Sequence, residues 1–174
     1  MTIFPSPREV EHFSALLPRG GTVLAAGPVP GALKRAVRRQ QGQLTLLDAP
    51  QGRQLLEADQ VIARQGLPDL LSVHYRNEED EILAALSRAV KTVRLRFTPE
   101  DPEVALRAVL RLERLGRYLH NFSLDETHRL VLRGPWWTRQ ELLEYLQEIP
   151  PEGPRGYIYA RLTPGEGLPG QENR

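Results

Sequence analysis

Gly27, Gly31, Asp48 and His74 are the residues whose types and spacing suggest chemistry. In GTVLAAGPVPGALKRAVRRQQGQLTLLD, Gly21 to Asp48, an apolar run from Thr22 to Ala26 enters a turn bearing Gly27 and Gly31. A basic helix from Gly31 to about Gln41 leaves the turn, and a second apolar strand, Leu44 to Leu47, finishes at Asp48. Such a turn offers free backbone N–H groups and the positive end of a helix dipole at the carboxyl edge of a sheet. An adenosine-containing ligand would bridge the turn and Asp48, whose carboxylate would accept from the ribose hydroxyls. The same residues also suit a plain βα connection, with Asp48 capping a turn toward Gln51. His74 ends a later apolar run, Leu70 to Tyr75, on the edge where sheets of this kind bind ligands. With Tyr75 it is the candidate for acid–base work, set against a packed histidine beside that tyrosine.

Other chemistries lack their residues. The chain has no cysteine, which removes disulfides, thiolate metal sites and thiol nucleophiles. Its histidines, His12, His74, His120 and His128, show no ligand spacing, so no metal site is expected. GxSxG and SxxK nucleophile patterns are missing as well. With 40% hydrophobic and 26% charged residues the composition is that of a globular protein, and a net charge of +1 commits it to no polyanion as a whole. The opening MTIFPSPREVEHF lacks the apolar core of a secretory signal, and no run of apolar residues is long enough to span a bilayer. The expectation is a soluble, cytoplasmic protein without a membrane partner.

The elements that must position the site alternate. Pro7 to Leu17 reads as a short helix packed against the sheet edge. Gln54 to Gln65 reads either as a helix or, over Gln54 to Asp59, as a short strand. After the strand Leu70 to Tyr75, a helix is expected over Glu78 to Val90. Thr92 to Phe97 alternates Val93, Leu95 and Phe97 with Arg94 and Arg96, the pattern of a strand with one wet face. Asp101-Pro102-Glu103 starts a helix that runs to about Gly116, with Asp101 as N-cap. Tyr118 to Leu124 and Arg129 to Arg133 read as an antiparallel hairpin, Thr138 and Glu141 as the capping box of a helix over Gln140 to Gln147, and Gly156 to Leu162 as the last strand. The tail 164–174, rich in glycine and proline, reads as disordered. The sum is one α/β domain over 1–163, a three-layer Rossmann-like, mostly parallel sheet with a C-terminal antiparallel hairpin.

VLAAGPVPG, Val23 to Gly31, resembles the VLDxGxGxG motif of class I S-adenosylmethionine-dependent methyltransferases. Gly27 and Gly31 fall on the first and third glycines, while Val29 replaces the middle glycine and Ala25 the acid. QLLEAD is similar to the family's third strand, LPDLLSVHY to its FDLVxSxxx fourth-strand motif, TVRLRF to its fifth strand, and TRQELLEYLQE with GYIYARL to its late helix and terminal strand. The resemblance implies an S-adenosylmethionine site at Gly27, Gly31, Asp48 and Asp59, with Asp48 on the ribose and Asp59 near the adenine. It also implies a substrate near His74, Tyr75 and Trp136. Only about twenty residues separate Asp48 from the fourth-strand motif, so a helix or a strand of the family topology is missing. Val29 keeps the backbone from approaching a ligand as closely as glycine would, so a degenerate, inactive member stands beside an active enzyme.

A rival reading takes the order βαββαβ over 92–162 as a ferredoxin-like module of regulatory or assembly function without catalysis, fused to a small α/β unit. One continuous sheet supports the first reading, two sheets the second. For partners, Lys34, Arg35, Arg38 and Arg39 form a basic helix face. It is read as solvated and neutralised by acids such as Glu57 and Asp59, while nucleic acid stays open without aromatic support. Exposed Arg94 and Arg96, or the pair Trp136-Trp137, are candidate homodimer contacts, and the pair is also a candidate substrate lip or core plug.

Overall fold

The computed structural model describes residues 6–47, 55–74, 79–124, 127 and 129–164, with residues 55–57 in backbone only. Its elements are α1 (Pro7–Leu16), β1 (Thr22–Ala26), α2 (Gly31–Arg39), β2 (Gln43–Leu47), α3 (Leu55–Gln65), β3 (Leu70–Val73), α4 (Glu79–Ala84), β4 (Thr92–Phe97), α5 (Pro102–Leu115), β5 (Tyr118–Leu124), α6 (Arg139–Glu148) and β6 (Gly156–Leu162).

The strands form a single six-stranded sheet in the order β2-β1-β3-β4-β6-β5. β2, β1, β3 and β4 are parallel, with Ala26 beside Leu47 and Val73, and Val73 beside Leu95. β6 runs antiparallel to both β4 and β5. This is the α/β, Rossmann-like class, and the strands of 92–162 belong to the same sheet as β1, which removes the separate ferredoxin-like unit.

Alternation along the strands sorts the core into two layers. Leu24, Leu71, Val93, Leu95 and Ile158 point to the face covered by α3, α4, α5 and α6, where Ile62, Ile82, Val109 and Leu142 meet them. Val23, Leu70, Tyr157 and Tyr159 point to the other face, under Phe13 of α1 and Leu33, Ala36 and Val37 of α2. α1 therefore lies on the sheet face, not at its edge. Reciprocal capping boxes start two helices, Ser6 with Glu9 on α1 and Thr138 with Glu141 on α6. On α5 the proline is at the first position as expected, but the Asp101 side chain makes no cap hydrogen bond.

Three other expectations are corrected. Of the two readings of Gln54 to Gln65 the helix holds and the strand likened to the family's third does not: 55–65 is helix α3, and its Ala58 and Ile62 are buried on one side at helical spacing. The helix over Glu78 to Val90 stops at Ala84 within the described residues, because tertiary partners take up the backbone beyond it. The Asp59 carboxylate accepts from Ser87 N, Arg111 donates to the carbonyls of Leu83, Ala84 and Leu86, and the Tyr118 hydroxyl bonds both Val90 N and Val90 O. Finally, Arg129 to Arg133 is not a strand, and the antiparallel partner of β5 is β6. The segment meets β5 at the isolated bridge Ser123–Leu130, where Val131 N donates to Phe122 O at 2.8 Å, and at the buried Asn121, whose side chain bonds both Leu132 N and Leu132 O at 3.1 Å.

Candidate functional site

The next strand after β1 and β2 crosses to the other side of β1, so the strand order reverses at β1. In open α/β sheets, crevices form at the carboxyl edge of such a switch point. Gly27 sits there with φ +85°, a left-handed conformation that a side chain resists. Gly31 is the first residue of α2, behind Pro30, and Pro30 makes no side-chain cap bond, so among the described residues the first-turn N–H groups have no side-chain acceptor. Val29 packs partly buried against the α1/α2 core, so some of its bulk turns away from the crevice.

β2 delivers the chain at Leu47, beside Ala26. Asp48, the next residue, lies outside the described residues, as does Tyr75. Asp59 is on α3, with both carboxylate oxygens on Ser87 N at 3.1 Å, and the structure does not bring it to the glycine turn. His74 does join the edge: its backbone N–H donates to Ala26 O at 2.9 Å, and its Nδ1 is 3.1 Å from the hydroxyl of Tyr157.

Behind His74 is a group that the wet-face reading of β4 missed. Arg94 is fully buried, because α1 covers that face of the strand. Its Nη1 donates to Ser72 Oγ at 3.0 Å, and its guanidinium lies 3.5 Å from the ring centroid of Tyr157. Ser72, Arg94, Tyr157 and His74 thus form one connected polar chain from the middle of the sheet to the candidate edge. His12 of α1 stands over the same layer, its ring 5.1 Å from that of Tyr159. Burial, and then the nearby Arg94 charge, hold its pKa down at about 4.

Beyond the ends of β4 and α4 a cavity of about 320 Å³ opens, lined by Glu79, Arg96, Thr98, Glu100 and Arg155 among others. Arg155 Nε donates to Glu100 at 3.1 Å, and this bond holds the Glu100 carboxyl below its ordinary pKa. Since Val73 pairs with Leu95, Arg96 is level with His74 on the neighbouring strand.

Trp136 does not belong to this edge. Arg161 stacks on it at 4.3 Å, and Arg161 pairs with Thr92, the first residue of β4, so Trp136 is at the opposite end of the strands from His74. Trp137 packs with Phe122 and Tyr145 on the other face. Together the two tryptophans close the core around β5. Arg94, being buried, is no dimer contact. Among the described residues no group of three metal-ligating side chains comes together, and no helix is long and apolar enough to cross a membrane.

No family model and no curated protein matches the chain. Among solved structures it is similar to a dimethyladenosine transferase from Plasmodium falciparum, with 12% identity, TM-score 0.48, and 93% of this chain and 64% of that chain covered. The chain thus spans less than two thirds of that protein's length. It is also similar to a release factor-specific protein-(glutamine-N5) methyltransferase from Alicyclobacillus acidocaldarius, with 14% identity, TM-score 0.48, and 94% and 100% covered. A third is an S-adenosylmethionine-dependent O-methyltransferase from Thermotoga maritima, with 12% identity, TM-score 0.45, and 96% and 69% covered. All three are methyltransferases, the family that the motif order resembles. The fold assignment itself rests on the strand order and registers above.

Proposed function

We propose that the protein binds S-adenosylmethionine at the carboxyl edge of β1 and β3 and is a small methyltransferase-like protein. The observation that carries this reading is the coincidence of the β1 switch point with a left-handed Gly27 and a helix start whose N-cap, Pro30, makes no side-chain cap bond. A residue without a side chain lets the cofactor approach the turn, and the first-turn N–H groups of α2 supply donors and a positive dipole end. Asp48, following β2, takes the ribose hydroxyls. The group would supply an electrophilic methyl carbon.

The chain's own part is placement. Methyl transfer needs in-line orientation of nucleophile and methyl group more than it needs acid–base chemistry, and His74 stands at the edge from which an acceptor would approach. Tyr157 restrains the His74 ring through the 3.1 Å bond, and Arg94 restrains Tyr157. Val29 at the middle glycine position favours a second reading, a member that keeps the fold and has lost turnover.

Thermal melting with S-adenosylhomocysteine tests the reading. At a ligand concentration of 100 times Kd the folded state gains about 2.7 kcal/mol, a Tm rise of roughly 5–10 °C for a chain of this size, and the rise is lost in Gly27→Val. No Tm change at saturating ligand defeats the proposal.

A further inference from the structure

Helix α2 presents a cluster of cations, three of which have no ion-pair partner among the described residues. Its nine residues, GALKRAVRR, include four basic side chains and no acid. Ala32, Leu33, Ala36 and Val37 are buried against the sheet, and Lys34, Arg35, Arg38 and Arg39 are exposed on the outer side. Of the two acids that the sequence offered as counter-charges, Glu57 has no described side chain, and Asp59 is engaged elsewhere. Asp59 is on α3, on the opposite face of the sheet, and its carboxylate is held by Ser87 N.

Several described carboxylates pair elsewhere: Asp69 with Lys91, Asp80 and Glu103 with Arg107, Glu100 with Arg155. On the adjoining α1, Glu9 is occupied by the Ser6 backbone N–H. Among the described residues Lys34, Arg38 and Arg39 have no ion-pair partner. Arg19, bonded to Gln41 at 3.2 Å just past the C-terminal end of α2, extends the stripe.

We propose that this face of α2 binds the phosphate backbone of a nucleic acid. Three cations, Lys34, Arg38 and Arg39, share this exposed face without an ion-pair partner among the described residues, and the +1 net charge of the chain shows that the basic character is local. Residues i and i+4 lie about 6 Å apart along a helix, and a nucleic-acid strand repeats its charge every ~3.4 Å of axis, so successive cations reach different phosphates. α2 carries no aromatic side chain, so the contact reads charge and spacing and not bases. The inference does not depend on cofactor binding.

The test is fluorescence anisotropy of wild type and a Lys34→Glu/Arg38→Glu/Arg39→Glu variant with labelled single-stranded and duplex RNA and DNA of mixed sequence, across about 50 to 200 mM salt. Three phosphate contacts predict a log K against log salt slope of about −2 to −3. The triple variant is expected to lose at least about tenfold in affinity at the lowest salt and most of that slope. Arg38→Lys/Arg39→Lys keeps both, and circular dichroism checks that each variant is folded. Polyglutamate replaces the nucleic acid as a control and is expected to displace it poorly. The proposal is overturned by no nucleic-acid binding at the lowest salt, by an unchanged slope in the triple variant, or by equal binding of polyglutamate, which would assign the face to acidic protein.

Discussion

Protonating His12 should unfold the protein more readily than protonating an ordinary surface histidine, and the structure gives the size of the effect. The ring is held between Phe13 and Tyr159, at centroid distances of 5.2 and 5.1 Å, and its Nε2 is buried without a hydrogen-bond partner among the described residues. The facing charge is Arg94. Burial first, and Arg94 second, lower the pKa from 6.5 to about 4. The sign follows from linkage: above pH 6.5 both folded and unfolded chains carry a neutral His12, and the residue has no pH-dependent effect. As pH falls from 6.5 toward 4 the unfolded chain takes up a proton that the folded chain refuses, and stability is lost. At pH 5 the unfolded state gains about 2 kcal/mol from this one site, at about 1.4 kcal/mol per pH unit. His12→Phe removes the site and keeps the aromatic contacts. Urea denaturation at pH 7 and pH 5 should show the variant gaining about 2 kcal/mol on wild type between the two conditions, or roughly 4–8 °C in Tm. Parallel pH profiles for the two proteins would refute the reasoning.

Three further perturbations test the frame around the site. Ser72→Ala deletes the hydroxyl that accepts from the buried Arg94 guanidinium, and a charged donor left short of a partner costs about 1.5–3 kcal/mol by denaturant titration; a change under about 0.5 kcal/mol would mean that the contact carries no stability. Gly27→Ala forces a side chain into φ +85° and should cost about 1–2 kcal/mol even with no ligand present. Asn121→Ala frees the 129–133 segment from β5, since the same side chain serves Leu132 N, Leu132 O and Phe122 N. Hydrogen exchange at Val131 and Leu132 should then rise well before the core opens, and unchanged protection there would show that the bridges alone hold it.

The unit from Thr22 to Leu47 was legible because a glycine turn between two short apolar runs admits few structures, and it formed as read. What escaped the sequence depended on partners far along the chain. TVRLRF has the period of a half-wet strand, and only the position of α1 decides that Arg94 is inside. A cation flanked by Val93 and Leu95, in a sheet expected to carry helices on both faces, was the signal for it. Leu86 and Ala89 kept helical spacing beyond Ala84, yet Asp59, Arg111 and Tyr118 took the backbone groups that a helix would have used. RLVLR is as apolar as a strand, but β6, arriving from farther along the chain, had the better claim on β5. Asp48 and Tyr75, two of the residues named from the sequence, lie outside the described residues. Of the readings open for Trp136-Trp137, the packing favours the core plug over a substrate lip beside His74, a choice the sequence left open because a dipeptide carries no information about which sheet edge it will meet.

The most direct test of the central claim is isothermal titration of the purified protein with S-adenosylmethionine and S-adenosylhomocysteine, with Asp48→Ala alongside. The account predicts saturable binding with one site per chain in wild type and at least about tenfold weaker binding in the variant, the loss of a charge-assisted ribose hydrogen bond. Binding of equal strength in both proteins would contradict the assigned site, and no heat of binding up to ~1 mM ligand would contradict cofactor recognition altogether.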